Sequence, residues 1–166
     1  MIAISFEERP EVADLRTFIG GWELDTVIGK ASGSVLVTMV ERYSRFTILA
    51  KAPSRSSVDF SMVIMTRLVQ YRDNLYTLTF DNEKEFSAHA TIDEILDCRS
   101  YFAHPYSSWE LGLNENTNGL IRQYFPKKTD FDQIGHDQIA EVESKLNWCS
   151  RKSLNTKTPN EIVLSN

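Results

Sequence analysis

At 166 residues, 42% apolar and 25% charged, the chain has an ordinary globular composition and the length of one domain. A chain of about that size buries roughly 68–70% of its unfolded surface, which is enough for a real core. Its net charge of −5 argues against a dedicated nucleic-acid binder, which is usually basic, and no apolar run approaches the ~20 residues of a membrane helix.

The opening stretch, MIAISFEERPEVADLR, is too acidic and too broken for a signal peptide. WELDTVIGK (22–30) reads as a first strand, followed by a turn at KASGS. SVLVTMVER (34–42) is a second, Val-rich strand, and FTILAKA (46–52) a third after the turn YSR. Such tight spacing predicts an antiparallel meander. PSRSS then sets up a helix capped by Ser57, with Phe60, Val63, Ile64, Leu68 and Tyr71 at helical spacing. A strand over 75–80 follows, then a helical pattern carrying Phe86, Ala90, Ile92, Ile95 and Leu96. RSYFA (99–103) is a short strand. The loop HPYSSWELGL leads to a helix over about 114–124, stopped by Pro126; a last helix spans 136–148, and KTPNEIVL closes the chain. The order predicts an α/β fold, a mixed sheet of about five strands flanked by helices.

Cys98 and Cys149 have no CxxC partner, and His89, His104 and His136 have no metal-ligand spacing. The cysteines read as reduced thiols of a cytoplasmic protein, and the histidines as surface or loop residues. Arg122, Lys127, Lys128, Arg151, Lys152 and Lys157 crowd the last third, a pattern more often a solvated face than a binding site.

Three acids stand out. Asp25 lies inside the first strand among Trp22, Leu24, Val27 and Ile28, where an acid is costly to bury unless paired or metal-bound. Asp81 ends the strand YTLTF, at the carboxyl edge where open sheets bind ligands. Glu115 opens a helix, where its plain reading is a favourable dipole interaction. Each alone is explained by a salt bridge or a cap. Together on one crevice they would repel, and oxygen-only ligation suits Mg²⁺ or Mn²⁺. Two such ions about 3.5–4 Å apart can clamp both oxygens of a phosphodiester displacement.

GGWELDTVIGK, LVTMVERYSRF, LTFDNEKEF, YFAHPYSSWELGLNENTNGLIRQYFPKKTDF and KTPNEIVL closely resemble the catalytic domain of the IS-thirty family of bacterial insertion-sequence transposases, which belongs to the retroviral-integrase-like group. The resemblance runs from about residue 8 to the end, and its DTVIG and NENTNGLIRQYFP blocks are specific. It implies an RNase H-like fold and a DDE transposase that cleaves and joins DNA strands using Mg²⁺ or Mn²⁺, two ions in all. The family's acidic triad falls on Asp25, Asp81 and Glu115, with thirty-three residues between the last two. These three are the expected catalytic residues and metal ligands. Asn82, Asn114 and Asn118 are candidates for binding phosphates or orienting the carboxylates, and Arg122, Lys127 and Lys128 for phosphate contacts. Gly119 would allow a close approach of DNA or sit beside a packed neighbour, and Tyr106 and Trp109 would stack on bases or plug the core.

The expected partners are DNA, as transposon ends and as target, and a second copy of the chain. No membrane association is expected, and action at the bacterial nucleoid is. Residues 1–21 are read as a lead-in without a DNA-binding domain, and 22–166 as the integrase-like core. The family's end-reading helix-turn-helix has no counterpart before residue 22, so discrimination of element ends is not expected. Leu24, His104 and Leu111 depart from the family pattern without touching the triad. The alternative reading is a truncated, inactive remnant that binds DNA weakly or pairs with a full-length transposase.

Overall fold

Successive side chains of a strand point to opposite faces of the sheet. Here every residue of the strand Val35–Glu41 is buried on either face, so the sheet must be covered on both sides. The computed structural model describes residues 4–5, 18–30, 33–81, 88–103 and 112–165. Its strands are β1 (Ile4–Ser5), β2 (Gly21–Val27), β3 (Val35–Glu41), β4 (Thr47–Ala52), β5 (Thr77–Phe80) and β6 (Arg99–Phe102), and its helices α1 (Ser57–Leu68), α2 (His89–Leu96), α3 (Gly112–Tyr124), α4 (His136–Trp148) and α5 (Pro159–Leu164).

The sheet order is β1-β6-β5-β2-β3-β4. β2, β3 and β4 form the expected antiparallel meander, with Trp22 opposite Glu41 and Val27 opposite Leu36. β5 joins β2 in parallel, Gly21 beside Thr77 and Leu24 beside Phe80, and β6 and β1 continue the parallel half. β2 is therefore the strand at which the sheet changes sense. The two-residue edge strand β1 adds to the five strands read from the sequence.

Alternation sorts the core into two layers. Trp22, Leu24, Val37, Met39, Ile48, Leu78 and Phe80 face α1 and α2, meeting Phe60, Ile64, Leu68, Ile92 and Leu96. Val27, Leu36 and Leu49 face α3 and α4, meeting Ile121, Phe125, Phe131, Ile139, Val142 and Leu146. Each fully buried large side chain contributes about 1.5–3 kcal/mol. β3 is buried along its whole length, as a strand between two covered faces should be.

Several boundaries differ from the sequence reading. The first strand stops at Val27 rather than residue 30, because the chain turns to meet the loop after α3. There the Lys30 N–H donates to the Thr129 carbonyl at 3.0 Å and its Nζ to Asp130 at 2.8 Å. Ser56, not Ser57, caps α1. It has the extended backbone that a cap needs, and its Oγ accepts from the Asp59 N–H. Tyr71 lies beyond α1 in a 3₁₀ segment, Val69–Asn74, with its ring 5.5 Å from Trp22. Ile95 was expected on the apolar side of α2 but is 42% exposed, since Ile92 and Leu96 alone face the core. Phe86 lies outside the described residues. The closing KTPNEIVL becomes α5, with a reciprocal cap between Thr158 and Glu161. Among the described residues, no helix is long and apolar enough to cross a membrane.

Candidate active site

Odd-numbered residues of β2 point toward α3. Glu23, Asp25 and Val27 thus share one face, opposite Trp22 and Leu24. In β5 the same face carries the buried Thr77 and Thr79. The register pairs Glu23 with Thr79 and Leu24 with Phe80. One step further, Asp25 continues β2 and Asp81 is the first residue beyond β5. Asp25 lies on the α3 side by alternation.

α3 runs over this face. Its Asn118 amide donates to Asp25 Oδ2 at 2.6 Å, while Asp25 Oδ1 accepts from the Thr26 N–H, also at 2.6 Å. Thr38 Oγ1, on β3, donates to the Asp25 carbonyl at 3.1 Å. The first acid is half-buried and oriented from two sides. Glu115 lies one helical turn before Asn118, so both occupy the same flank of α3. Glu115 and Asp81 are exposed, and neither forms a hydrogen bond or ion pair with the described residues. Among the described residues, no three His, Cys, Asp or Glu side chains are gathered as a metal-holding group.

The candidate phosphate contacts divide. Asn118 is committed to Asp25. Asn114 is 1% exposed. Its backbone N–H donates to Glu23, while both polar atoms of its side chain are buried without a partner among the described residues. Arg122 turns inward: one nitrogen donates to the Ile28 carbonyl at 2.7 Å and another reaches the carbonyls of Phe125 and Pro126. It ties the end of α3 to the end of β2. Lys127 and Lys128 are exposed beyond α3. A side chain at Gly119 would meet nothing within 4 Å, so no packed neighbour requires a glycine there. Asn82, His104, Tyr106, Trp109 and Leu111 lie outside the described residues.

One participant escaped the sequence reading. Glu23 is fully buried beneath the start of α3, where it pairs with Arg42 at 3.1 Å and accepts from the Asn114 N–H. It fastens the helix that bears Glu115 to the strand that bears Asp25. The signal was present: the two acids of WELD are two residues apart, and a strand puts such residues on one face.

The chain is 39% identical over 158 residues to the transposase for insertion sequence element IS4351 of Bacteroides fragilis, covering 95% of this chain and 48% of the relative. It is 38% identical over 157 residues to the transposase InsI of IS30A from Escherichia coli strain K12, covering 94% and 41%. The chain is homologous to insertion-sequence transposases of the IS-thirty family. It spans about half the length of the curated relatives it matches. No family model matches it. Among solved structures, the catalytic core domain of BIV integrase superposes with a TM-score of 0.66 at 19% identity, covering 87% of this chain and 93% of that one. That likeness gives the fold, the RNase H-like fold of integrase catalytic cores. The mixed sheet and its flanking helices expected from the sequence are the architecture of this transposase relative.

Proposed function

We propose that this chain is the catalytic core of a DDE transposase, a polynucleotidyl transferase that cleaves and rejoins DNA strands with divalent metal bound by Asp25, Asp81 and Glu115. The observation that supports the reading is the β2–β5 register, which pairs Leu24 with Phe80, the residues immediately before Asp25 and Asp81, while α3, which bears Glu115, bonds Asp25 through Asn118. The transposase homology supports the reaction class.

The donor set fits a hard cation, since it is carboxylate oxygen throughout, and the two exposed acids are not committed to other groups among the described residues. Bound Mg²⁺ or Mn²⁺ would neutralise charge at the attacking and leaving oxygens of the phosphodiester. The remaining work falls to the chain itself. Asn118 fixes the rotamer of Asp25. Glu23 and Arg42 hold the start of α3 at a set height above β2. Lys127 and Lys128, both exposed, would meet a DNA backbone, contacts that position without reading sequence. Transposon ends and target DNA would be the substrates, and a second copy of the chain the natural partner.

The test joins stability to activity. Metal that binds only the folded state stabilises it by roughly 2.7 kcal/mol at about one hundred times its dissociation constant. Melting temperature should therefore rise with Mg²⁺ or Mn²⁺, and Asp81→Asn should lose most of that rise. Mn²⁺ should also support slow nicking of supercoiled DNA, abolished by Glu115→Gln with the fold intact. Each 1.36 kcal/mol of lost transition-state stabilisation is about tenfold in rate. A metal response unchanged in Asp81→Asn would move the site elsewhere. Wild-type protein that binds metal yet never nicks would leave the inactive remnant as the better reading.

A further inference from the structure

Asn114, Asn118 and Arg122 stand one turn apart along α3, and each bonds to the strand beneath. The Asn114 N–H donates to Glu23 at 3.3 Å, the Asn118 amide to Asp25 at 2.6 Å and Arg122 to the Ile28 carbonyl, just past β2, at 2.7 Å. Four helical residues rise about 6 Å and two strand residues roughly 6.6 Å, so helix and strand keep step. Arg42 completes the first rung by pairing with Glu23 at 3.1 Å. The second rung holds the acid of the candidate site. The Asn118 amide has two ends, and only its nitrogen end serves a carboxylate; turned over, its oxygen would face Asp25. That oxygen, Oδ1, is buried with no hydrogen-bond partner among the described residues. One turn earlier, Asn114 is 1% exposed, and its Nδ2 and Oδ1 are likewise buried without a partner there. Idle polar atoms in a buried layer are unfavourable, because each has given up its water. Side chains four apart on a helix have Cβ atoms about 5–6 Å from each other, within reach of a hydrogen bond between carboxamides.

We infer that Asn114 is a positioning residue of the acidic site: its Nδ2 donates to Asn118 Oδ1 and so keeps the amide hydrogens of Asn118 on Asp25. The terminal torsion of an asparagine is soft, so the bond closes by turning the Asn114 amide, with α3 in place. One polar line then runs from Arg42 through Glu23 to the start of α3, and from Asn114 through Asn118 to Asp25. The inference rests on the reading of Asp25 as a metal ligand and adds the residue that holds its orienting amide. Asn114 touches neither metal nor substrate in this role. It acts through Asn118, because a carboxylate already held in one rotamer binds a cation more tightly than one that must first be ordered.

The test pairs two variants that differ in their effect on the fold. Asn114→Leu copies the branching of the side chain and removes its idle polar atoms, whereas Asn114→Ala leaves a void. Without metal, Asn114→Leu should therefore melt above Asn114→Ala. Mn²⁺ affinity, read by isothermal titration calorimetry without DNA, should nevertheless drop about tenfold in both, the scale typical of groups that orient metal ligands. Asn118→Ala should show the same drop. Adding Asn114→Leu to Asn118→Ala should weaken Mn²⁺ no further, since the two residues act in one line. A second arm needs no metal: a crystal structure of the wild type should place Asn114 Nδ2 about 2.7–3.2 Å from Asn118 Oδ1.

Wild-type Mn²⁺ affinity in both Asn114 variants would overturn the proposal. So would a loss that follows their melting temperatures, or one that adds to the loss in Asn118→Ala. A wild type that binds no Mn²⁺ would remove the metal reading of Asp25 instead. The crystal structure then decides by itself: Asn114 bonded to Asn118 sustains the inference, and Asn114 bonded elsewhere overturns it.

Discussion

Asp25 occupies a strand position where a carboxylate is ordinarily costly, and its neighbours explain how it persists. Both oxygens accept short hydrogen bonds, from the Thr26 N–H and the Asn118 amide, and a hydrogen-bonded charge avoids most of the burial penalty. Glu23, two residues earlier and fully buried, pairs with Arg42. Such a pair adds little net stability over an apolar replacement, but losing one partner strands the other. Its contribution here is placement of α3. Cys98 presents the opposite case of a group kept neutral. Burial, reinforced by the Asp93 carboxylate 3.9 Å away, pushes its thiol up to about 12. An unfolded cysteine ionises near 8.5. The folded chain thus holds the proton more tightly, and the associated stability is complete below about pH 8.5 and lost as pH rises toward about 12. Urea denaturation of wild type should show a steeper loss over that window than Cys98→Ala. At pH 8, iodoacetamide should modify the exposed Cys149 well before Cys98, because the thiolate is the reactive form. Equal alkylation rates would refute this account.

At the scale of elements, the antiparallel edge of the sheet is closed by side chains. The outward N–H and carbonyl of Thr47 both bond to the amide of Asn147, at 2.8 and 2.7 Å, and the Leu49 N–H donates to Glu143 at 2.7 Å. α4 thereby stands in for a neighbouring strand, one of the ways proteins blunt a sheet edge. Asn147 is 3% exposed, so Asn147→Ala leaves two backbone groups orphaned at about 1–3 kcal/mol each. A fall of that size in urea-derived stability is expected, with a smaller fall for Asn147→Asp, which keeps the acceptor. A loss under about 0.5 kcal/mol, the level of an ordinary surface change, would show that water serves the edge equally well. This contact marks the limit of what the sequence discloses. The strands and helices were legible because their apolar periods are strong, and Asp25 was legible because it interrupts one. Asn147 looked like any polar residue on a helix; its meaning lies in Thr47, one hundred positions away in the chain. The cap at Ser56 rather than Ser57 turns on backbone angles that two adjacent serines do not distinguish. β1 has only two residues, too few for any period to show.

At the scale of the whole molecule, the sheet has two halves of different range. The meander β2–β3–β4 pairs residues that are near neighbours along the chain, whereas β5 reaches back to β2 across more than fifty residues, from Thr77 to Gly21. Closing the longer loop costs more entropy, and non-local pairings lengthen the search for the native state. The meander with its hairpin turns should form first and the parallel half should dock onto it. Asp81 directly follows β5, so any meeting with Asp25 belongs to that second event. Stopped-flow measurements in EDTA should accordingly find that Asp81→Asn leaves the refolding rate nearly unchanged and slows unfolding, the behaviour of a group whose interactions arise after the transition state. A refolding limb that speeds up instead would place the β2–β5 pairing early. Because β2 is the strand shared by both halves, any repulsion between the two acids of the proposed site would arise after the barrier has been crossed: it would shorten the lifetime of the native state without delaying its birth.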